Sequence, residues 1–308
     1  MGVHILNGVF VDSVDSLFYT QIDPSSDAYA NLRDAGWNRS NREFAESLWA
    51  RFAPYADSNF RDEIACAFHQ RYWEMYLGFG LLEAGLQLES NRTAGPDFKA
   101  VGHEGVVWIE ATAPEAGTGA DAVPEMVYGQ MQKVPDDRII LRLRGAIEEK
   151  YRKYHQYLES GQVSERDPYV IAINGRAVPH MESEGHPPKI VKTLYPIGSA
   201  FVSFDQQTGE KVDEGFLRRY TIRKISGAEV DTTVFSSPNH AGISAVLYCN
   251  SNAGNHPEDP KSVGGDFTIL YNDNAKNPIQ RGFLPAGTEF VIEGNGLMRH
   301  SKLEAAAK

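Results

Sequence analysis

Cysteine is close to absent. Only Cys66 and Cys249 occur among 308 residues, too few for a disulfide framework or a thiolate metal site, and a reducing, cytoplasmic home is expected. Long apolar runs are missing as well. No stretch reaches the roughly 18 residues that a membrane span needs, so no membrane association is expected. The opening MGVHILNGVF lacks the basic segment and apolar core of a secretion signal. Without such a signal, the sequons Asn38-Arg39-Ser40 and Asn91-Arg92-Thr93 read as chance. Positive charge is also scarce. The net charge is −11, whereas phosphate-binding surfaces leave a basic footprint.

What remains is an ordinary globular composition, 42% hydrophobic and 23% charged, sufficient for a sizeable core. The charge is uneven. Met1 to Glu63 carries ten acidic and five basic residues, while Arg138 to Lys153 carries six basic and two acidic. Arg218, Arg219, Arg223 and Lys224 form a second basic cluster. Within these stretches Arg138, Arg142, Lys153, Arg218 and Arg219 are the candidate nucleic-acid contacts; the alternative is a set of solvated faces.

Periodicity predicts an α/β protein with a mixed sheet flanked by helices. Residues 1–57 read as a helical extension, clearest in NREFAESLWARF, with Asn41 as cap. One long helix is predicted from Phe60 to Leu82, capped by Ser58 or Asn59 and ended by Gly85. LQLESNR, PDFKAV and VVWIEAT follow as short strands, the last two joined by a Gly102–Gly105 turn into a hairpin. After a loop from Pro114 to about Pro135 comes an amphipathic helix, Arg138 to Leu158, capped by Asp136 or Asp137. PYVIAINGR reads as a buried strand. Residues 58–175 thus form the predicted core. Residues 176–298 continue it as a β-rich elaboration (SAFVSFD, RRYTIRKI, ISAVLYCN, DFTILYND, EFVIEG), and 299–308 read as a tail. Cys66, mid-helix, and Cys249, at a strand end, read as core. His180 and His186 read as loop-surface residues.

The chemistry concentrates on Asp97 and Glu110. A carboxylate directly after Val-Val-Trp-Ile demands a partner or a metal. Paired strands about 4.8 Å apart let two carboxylates share one divalent ion, and Mg²⁺ takes one or two carboxylates with water and phosphate completing its shell. Glu74, at the edge of the Phe60–Leu82 apolar face, is a third candidate; its plainer reading is a surface pair with Arg71. The plainer readings of the others are a turn-capping Asp97 and a Glu110 paired with Arg138 or Arg142.

Glu74, Pro96-Asp97 and the Glu110-Ala111-Thr112 segment that ends an apolar strand 13 positions after Asp97 together resemble the PD-(D/E)xK, or restriction-endonuclease-like, nuclease superfamily over residues 60 to 175. The phrase WIEATAP is similar to an uncharacterised bacterial subgroup of it. The resemblance implies a restriction-endonuclease-like fold and Mg²⁺- or Mn²⁺-dependent hydrolysis of phosphodiesters, DNA foremost. Asp97 and Glu110 would be metal ligands, and Glu74 would assist. The departure is Thr112, where the third motif expects lysine. Lys150, whose stem can lie on the sheet, is the preferred substitute, and Lys99, in phase with Asp97, is the alternative. Otherwise Thr112 marks a silent module that binds nucleic acid or a protein partner, or forms a homo-oligomer. The net charge leaves open a carboxylate enzyme on another substrate. Asp97→Asn and Glu110→Gln are both expected to stop turnover and spare folding.

Overall fold

The structure, a computed structural model, describes residues 5–6, 9–10, 15–19, 23–90, 95–102, 105–293 and 296–301. The sequon at Asn91, the tip of the Gly102–Gly105 turn and residues 302–308 lie outside the described residues. Strands β1 (Ile5–Leu6) and β2 (Val9–Phe10) pair with each other near the N-terminus. Helices α1 (Asp27–Asp34), α2 (Arg39–Phe52), α3 (Phe60–Ile64) and α4 (Phe68–Glu83) follow. Strands β3 (Gln87–Ser90), β4 (Phe98–Gly102) and β5 (Gly105–Thr112) lead through a long loop to α5 (Asp136–Glu159) and β6 (Tyr169–Asn174). Then come α6 (Lys189–Leu194), the hairpin β7 (Ile197–Phe204) and β8 (Lys211–Arg218), and the small ladder β9 (Thr221–Arg223) and β10 (Glu229–Asp231). Strands β11 (Ala245–Cys249), β12 (Thr268–Tyr271), β13 (Thr288–Glu293) and β14 (Gly296–Ser301) complete the chain.

An eight-stranded mixed sheet runs in the order β14-β13-β12-β11-β6-β5-β4-β3. β3, β4 and β5 form an antiparallel meander, and β5, β6 and β11 run parallel. Parallel strands are covered on both faces, which is why YVIAIN in β6 and AVLYC in β11 are buried throughout. One face packs on α4, behind which lie α1 and α2, and the core there includes Trp73, Ile109 and Ala111. The other face packs on α5 and α6 around Leu143, Ile147, Ile171 and Ile190. Helix α4 is apolar nearly all round because it is sandwiched between sheet and helices. Its Trp73 indole donates to the Ala172 carbonyl of β6 at 3.1 Å, which anchors α4 on the middle of the sheet. Gly85, with φ +83°, ends this helix as expected.

Several expectations need correcting. The single helix from Phe60 is two, because the Ala65 carbonyl accepts the Ser26 N–H at 3.2 Å instead of continuing the ladder. Cys66 sits in that break and is exposed, not core, whereas Cys249 is buried. The expected cap Asn41 lies inside α2, which begins at Arg39 after a buried Asn38. RRYTIRKI supplies only the three residues of β9, and β8 and the short α6 were not anticipated. His180 is buried, with Nε2 3.1 Å from the Pro124 carbonyl oxygen. Residues 299–301 belong to β14, paired with β13, and not to a tail. Among the described residues no helix is long and apolar enough to cross a membrane.

The indole bond from α4 to β6 gives a first prediction. Trp73→Phe keeps an aromatic ring but removes the indole donor and leaves unfilled space between α4 and the sheet, so unfolding free energy should fall by about 1–3 kcal/mol. Urea denaturation reads this directly, and an unchanged midpoint would show that the bond contributes nothing.

Candidate active site

The turn through Gly95 (φ +124°) and Pro96 delivers Asp97 to the start of β4. In the β4–β5 ladder Phe98 faces Ile109, so the register carried one step on sets Asp97 opposite Glu110. Cross-strand neighbours of this kind have Cβ atoms about 5 Å apart. The side chains of β5 alternate: Ile109 and Ala111 enter the α4 core, while Trp108 faces the α5 side. Glu110 therefore points toward α5.

Glu110 is only 2% exposed, and three side chains of α5 converge on it. Lys150 Nζ donates to Oε1 at 2.8 Å, Lys153 Nζ to the same oxygen at 3.3 Å, and the Tyr157 hydroxyl to Oε2 at 3.2 Å. Lys150 is buried, while Lys153 is 40% exposed. Burial disfavours the Lys150 ammonium, but Glu110 and then Asp97 outweigh it, so its pKa is raised and it stays a cation. Burial and the adjacent Glu110 likewise raise the Tyr157 phenol and keep it protonated.

Asp97 Oδ2 accepts the Ala111 N–H at 2.6 Å. Its pKa lies well above the usual carboxylate range, because of burial first, then repulsion from Glu110 and Glu74, only partly offset by Lys150 and the Ala111 amide. Glu74, buried on α4, accepts from Gln70 Nε2 at 2.9 Å and from Arg71 Nη1 at 2.6 Å. Arg71 also reaches Asp57 and Glu63. The plainer reading of Glu74 thus holds in part: it pairs with Arg71, yet it is buried and close enough to repel Asp97. Gln70 adds a clamp that the sequence did not suggest, with Oε1 accepting from Ala113 N at 2.9 Å and Nε2 contacting Ala111 O at 3.3 Å. It ties α4 to the end of β5 on both sides of Thr112.

The remaining candidates are placed elsewhere. Lys99 is engaged by Glu89 of β3 at 2.8 Å and lies over the Trp108 ring, so it does not serve Asp97. Arg138 Nη1 donates to the Ala122 carbonyl at 3.1 Å and Arg142 Nε to that of Glu115 at 2.8 Å. Both pin the 113–135 loop, and neither pairs with Glu110. Arg219 bonds Asp137 at 2.8 Å, and Arg218 closes the β7–β8 ladder opposite Ile197. Of the five candidate nucleic-acid contacts, the site itself holds Lys153. Tyr157 joins the site without having been a sequence candidate; its spacing from Lys150 and Lys153, seven and four positions, puts all three on one helical face.

The donor set fits a hard divalent ion. Its acceptors are the carboxylate oxygens of Asp97 and Glu110, with Oε1 of Glu110 already taken by Lys150 and Lys153. Among the described residues no three His, Cys, Asp or Glu side chains cluster closely enough to cage a metal alone. Asp97 and Glu110 are the two carboxylates that could hold a divalent ion there. No protein-family model, curated protein or solved structure matches the chain.

The geometry separates two substitutions that the sequence alone would treat alike. Glu110→Gln strips the counter-charge from buried Lys150 and should cost about 3–5 kcal/mol. Asp97→Asn removes a repelled carboxylate and keeps an acceptor for the Ala111 amide, so in metal-free buffer it should stabilise. A carboxyl whose folded pKa is raised above its ordinary 3.8 loses stability as pH rises through that value. The advantage of Asp97→Asn should therefore be small near pH 4 and grow toward neutrality. Thermal melts from pH 4 to 8 measure it, and an advantage that shrinks with pH would contradict the raised pKa of Asp97.

Proposed function

We propose that this chain is a nuclease of the PD-(D/E)xK type on a restriction-endonuclease-like core, hydrolysing phosphodiester bonds, those of DNA foremost, with Mg²⁺ or Mn²⁺. The observation that carries this reading is the buried Lys150 ammonium on Glu110, beside Asp97. It supplies from a helix the cation that Thr112 withholds from the strand. Asp97 and Glu110 would hold the ion, and Glu74 would add negative charge behind Asp97. A bound ion would lower the pKa of a coordinated water and neutralise charge on the phosphoryl oxygens.

The chain's own groups divide the remaining work. Lys150, held as a cation by Glu110, cannot take a proton from water and acts as an electrostatic stabiliser. Lys153 reaches solvent from the same carboxylate oxygen and is the group best able to meet a substrate phosphate. Arg138 and Arg142 hold loop carbonyls and Arg219 holds Asp137, while Arg152, Arg218, Arg223 and Lys224 face solvent, so DNA affinity should weaken as salt rises. A second reading is a binding module without turnover. Thr112 favours it, as does the fact that Glu110 Oε1 already carries two ammonium groups.

A cleavage assay separates the two. Purified protein with Mg²⁺ or Mn²⁺ should nick or degrade DNA, and EDTA should abolish this. Asp97→Asn should be inactive yet folded, and Lys150→Met should lower the rate by about two to three orders of magnitude. DNA binding without cleavage would favour the module. Wild-type protein that binds neither metal nor DNA would end the nuclease reading.

A further inference from the structure

Glu110 distributes its donors unevenly. Both lysines bond Oε1, at 2.8 Å and 3.3 Å, and among the described residues the Tyr157 hydroxyl alone bonds Oε2, at 3.2 Å. A carboxylate held only through one oxygen can swing about its terminal torsion, which is broad and roughly two-fold for Glu. A donor on the second oxygen stops that rotation. The phenol leaves Oε2 able to accept further, because each carboxylate oxygen has two lone-pair sites. Oε1, carrying two ammonium groups, is electrostatically the poorer place for another cation.

We propose that Tyr157 is a positioning residue for this site: its hydroxyl locks the Glu110 carboxylate so that Oε2 is presented to the divalent ion while Oε1 stays with Lys150 and Lys153. This rests on the nuclease reading and extends it to a residue outside the PD-(D/E)xK pattern. Tyr157 stands on α5, whose buried face packs on the sheet through Leu143, Ile147 and Tyr154. The phenol thus reaches Glu110 from a fixed platform, and the charge of the site does not depend on it. Groups that orient a metal ligand from behind, when removed, cost about 10- to 100-fold in metal affinity.

The test is a Mn²⁺ titration of the full chain, followed by calorimetry or by the electron paramagnetic resonance signal of free Mn²⁺. Tyr157→Phe deletes one hydroxyl and keeps the ring, and it should weaken Mn²⁺ binding by about 10- to 100-fold. Tyr154→Phe is the matched control, one turn earlier, with its ring against Tyr169 and no bond to Glu110. It should bind as wild type does. Metal-free melting points of both variants should stay close to that of the wild type, a separation that a merely structural hydroxyl would not produce. If wild type binds Mn²⁺ and Tyr157→Phe binds it equally well, the positioning role is overturned and the nuclease reading stands. A Tyr157→Phe chain that fails to fold overturns it too, since the bond is then structural. Wild type that binds no Mn²⁺ overturns both.

Discussion

A carboxylate with 2% of its surface exposed has to be neutralised where it stands, and the way Glu110 is neutralised organises the rest of the site. Its partner Lys150 is itself buried, so neither charge can retreat to water. Two ions in this position tie β5 to α5, because removing either leaves the other charge buried and uncompensated. The same ion pair aligns the helix. With Lys150 fixed on Oε1, Lys153 and Tyr157 come to the carboxylate by helical geometry alone. On the opposite face Trp73 and Gln70 hold α4 to β6 and to the end of β5. The carboxylates are therefore set between two helices, each bonded to the strands that carry the site.

That arrangement explains how an acidic chain can contain conspicuous basic stretches. The cations between 138 and 153 are mostly spent internally, on loop carbonyls by Arg138 and Arg142, on Glu148 and the Asp231 carbonyl by Arg144, and on Glu110 by the lysines. Linear charge clustering here reports in large part the folding of a loop and the filling of a core, with Arg152 and part of Lys153 left to solvent.

Much of the architecture was legible from local patterns. The VVWIE run, apolar until its carboxylate, marked a strand covered on both faces, and the period of Leu143, Ile147 and Tyr154 marked the helix that covers it. What escaped was decided by tertiary bonds that no periodicity records. The capture of the Ala65 carbonyl by Ser26 broke a helix whose apolar pattern runs on unbroken. Lys99 has the right phase to face Asp97, but a neighbouring strand places Glu89 within 2.8 Å of it. Tyr157 stands outside the apolar stripe of its helix, and its hydroxyl matters only once Glu110 is known to point at that helix. Gln70 carries no signal in the sequence beyond standing four residues before Glu74.

The tethering of the 113–135 loop bears on how the protein can be rebuilt. Its first part is fastened by Arg142 to the Glu115 carbonyl, by Arg138 to that of Ala122, by burial of Val123 and by His180 at Pro124. Its far end is fastened where Asp136 meets Lys192. Between these ties the chain from Glu125 to Lys133 is largely exposed, with Tyr128 and Met131 facing solvent. That arc is a graft point: lengthening a flexible loop costs only about 0.6 kcal/mol per doubling, and the knots on either side insulate Glu110 and Lys150 from whatever is spliced in. A fluorophore, an affinity handle or a foreign recognition segment inserted there would leave the bonds of Glu110 in place.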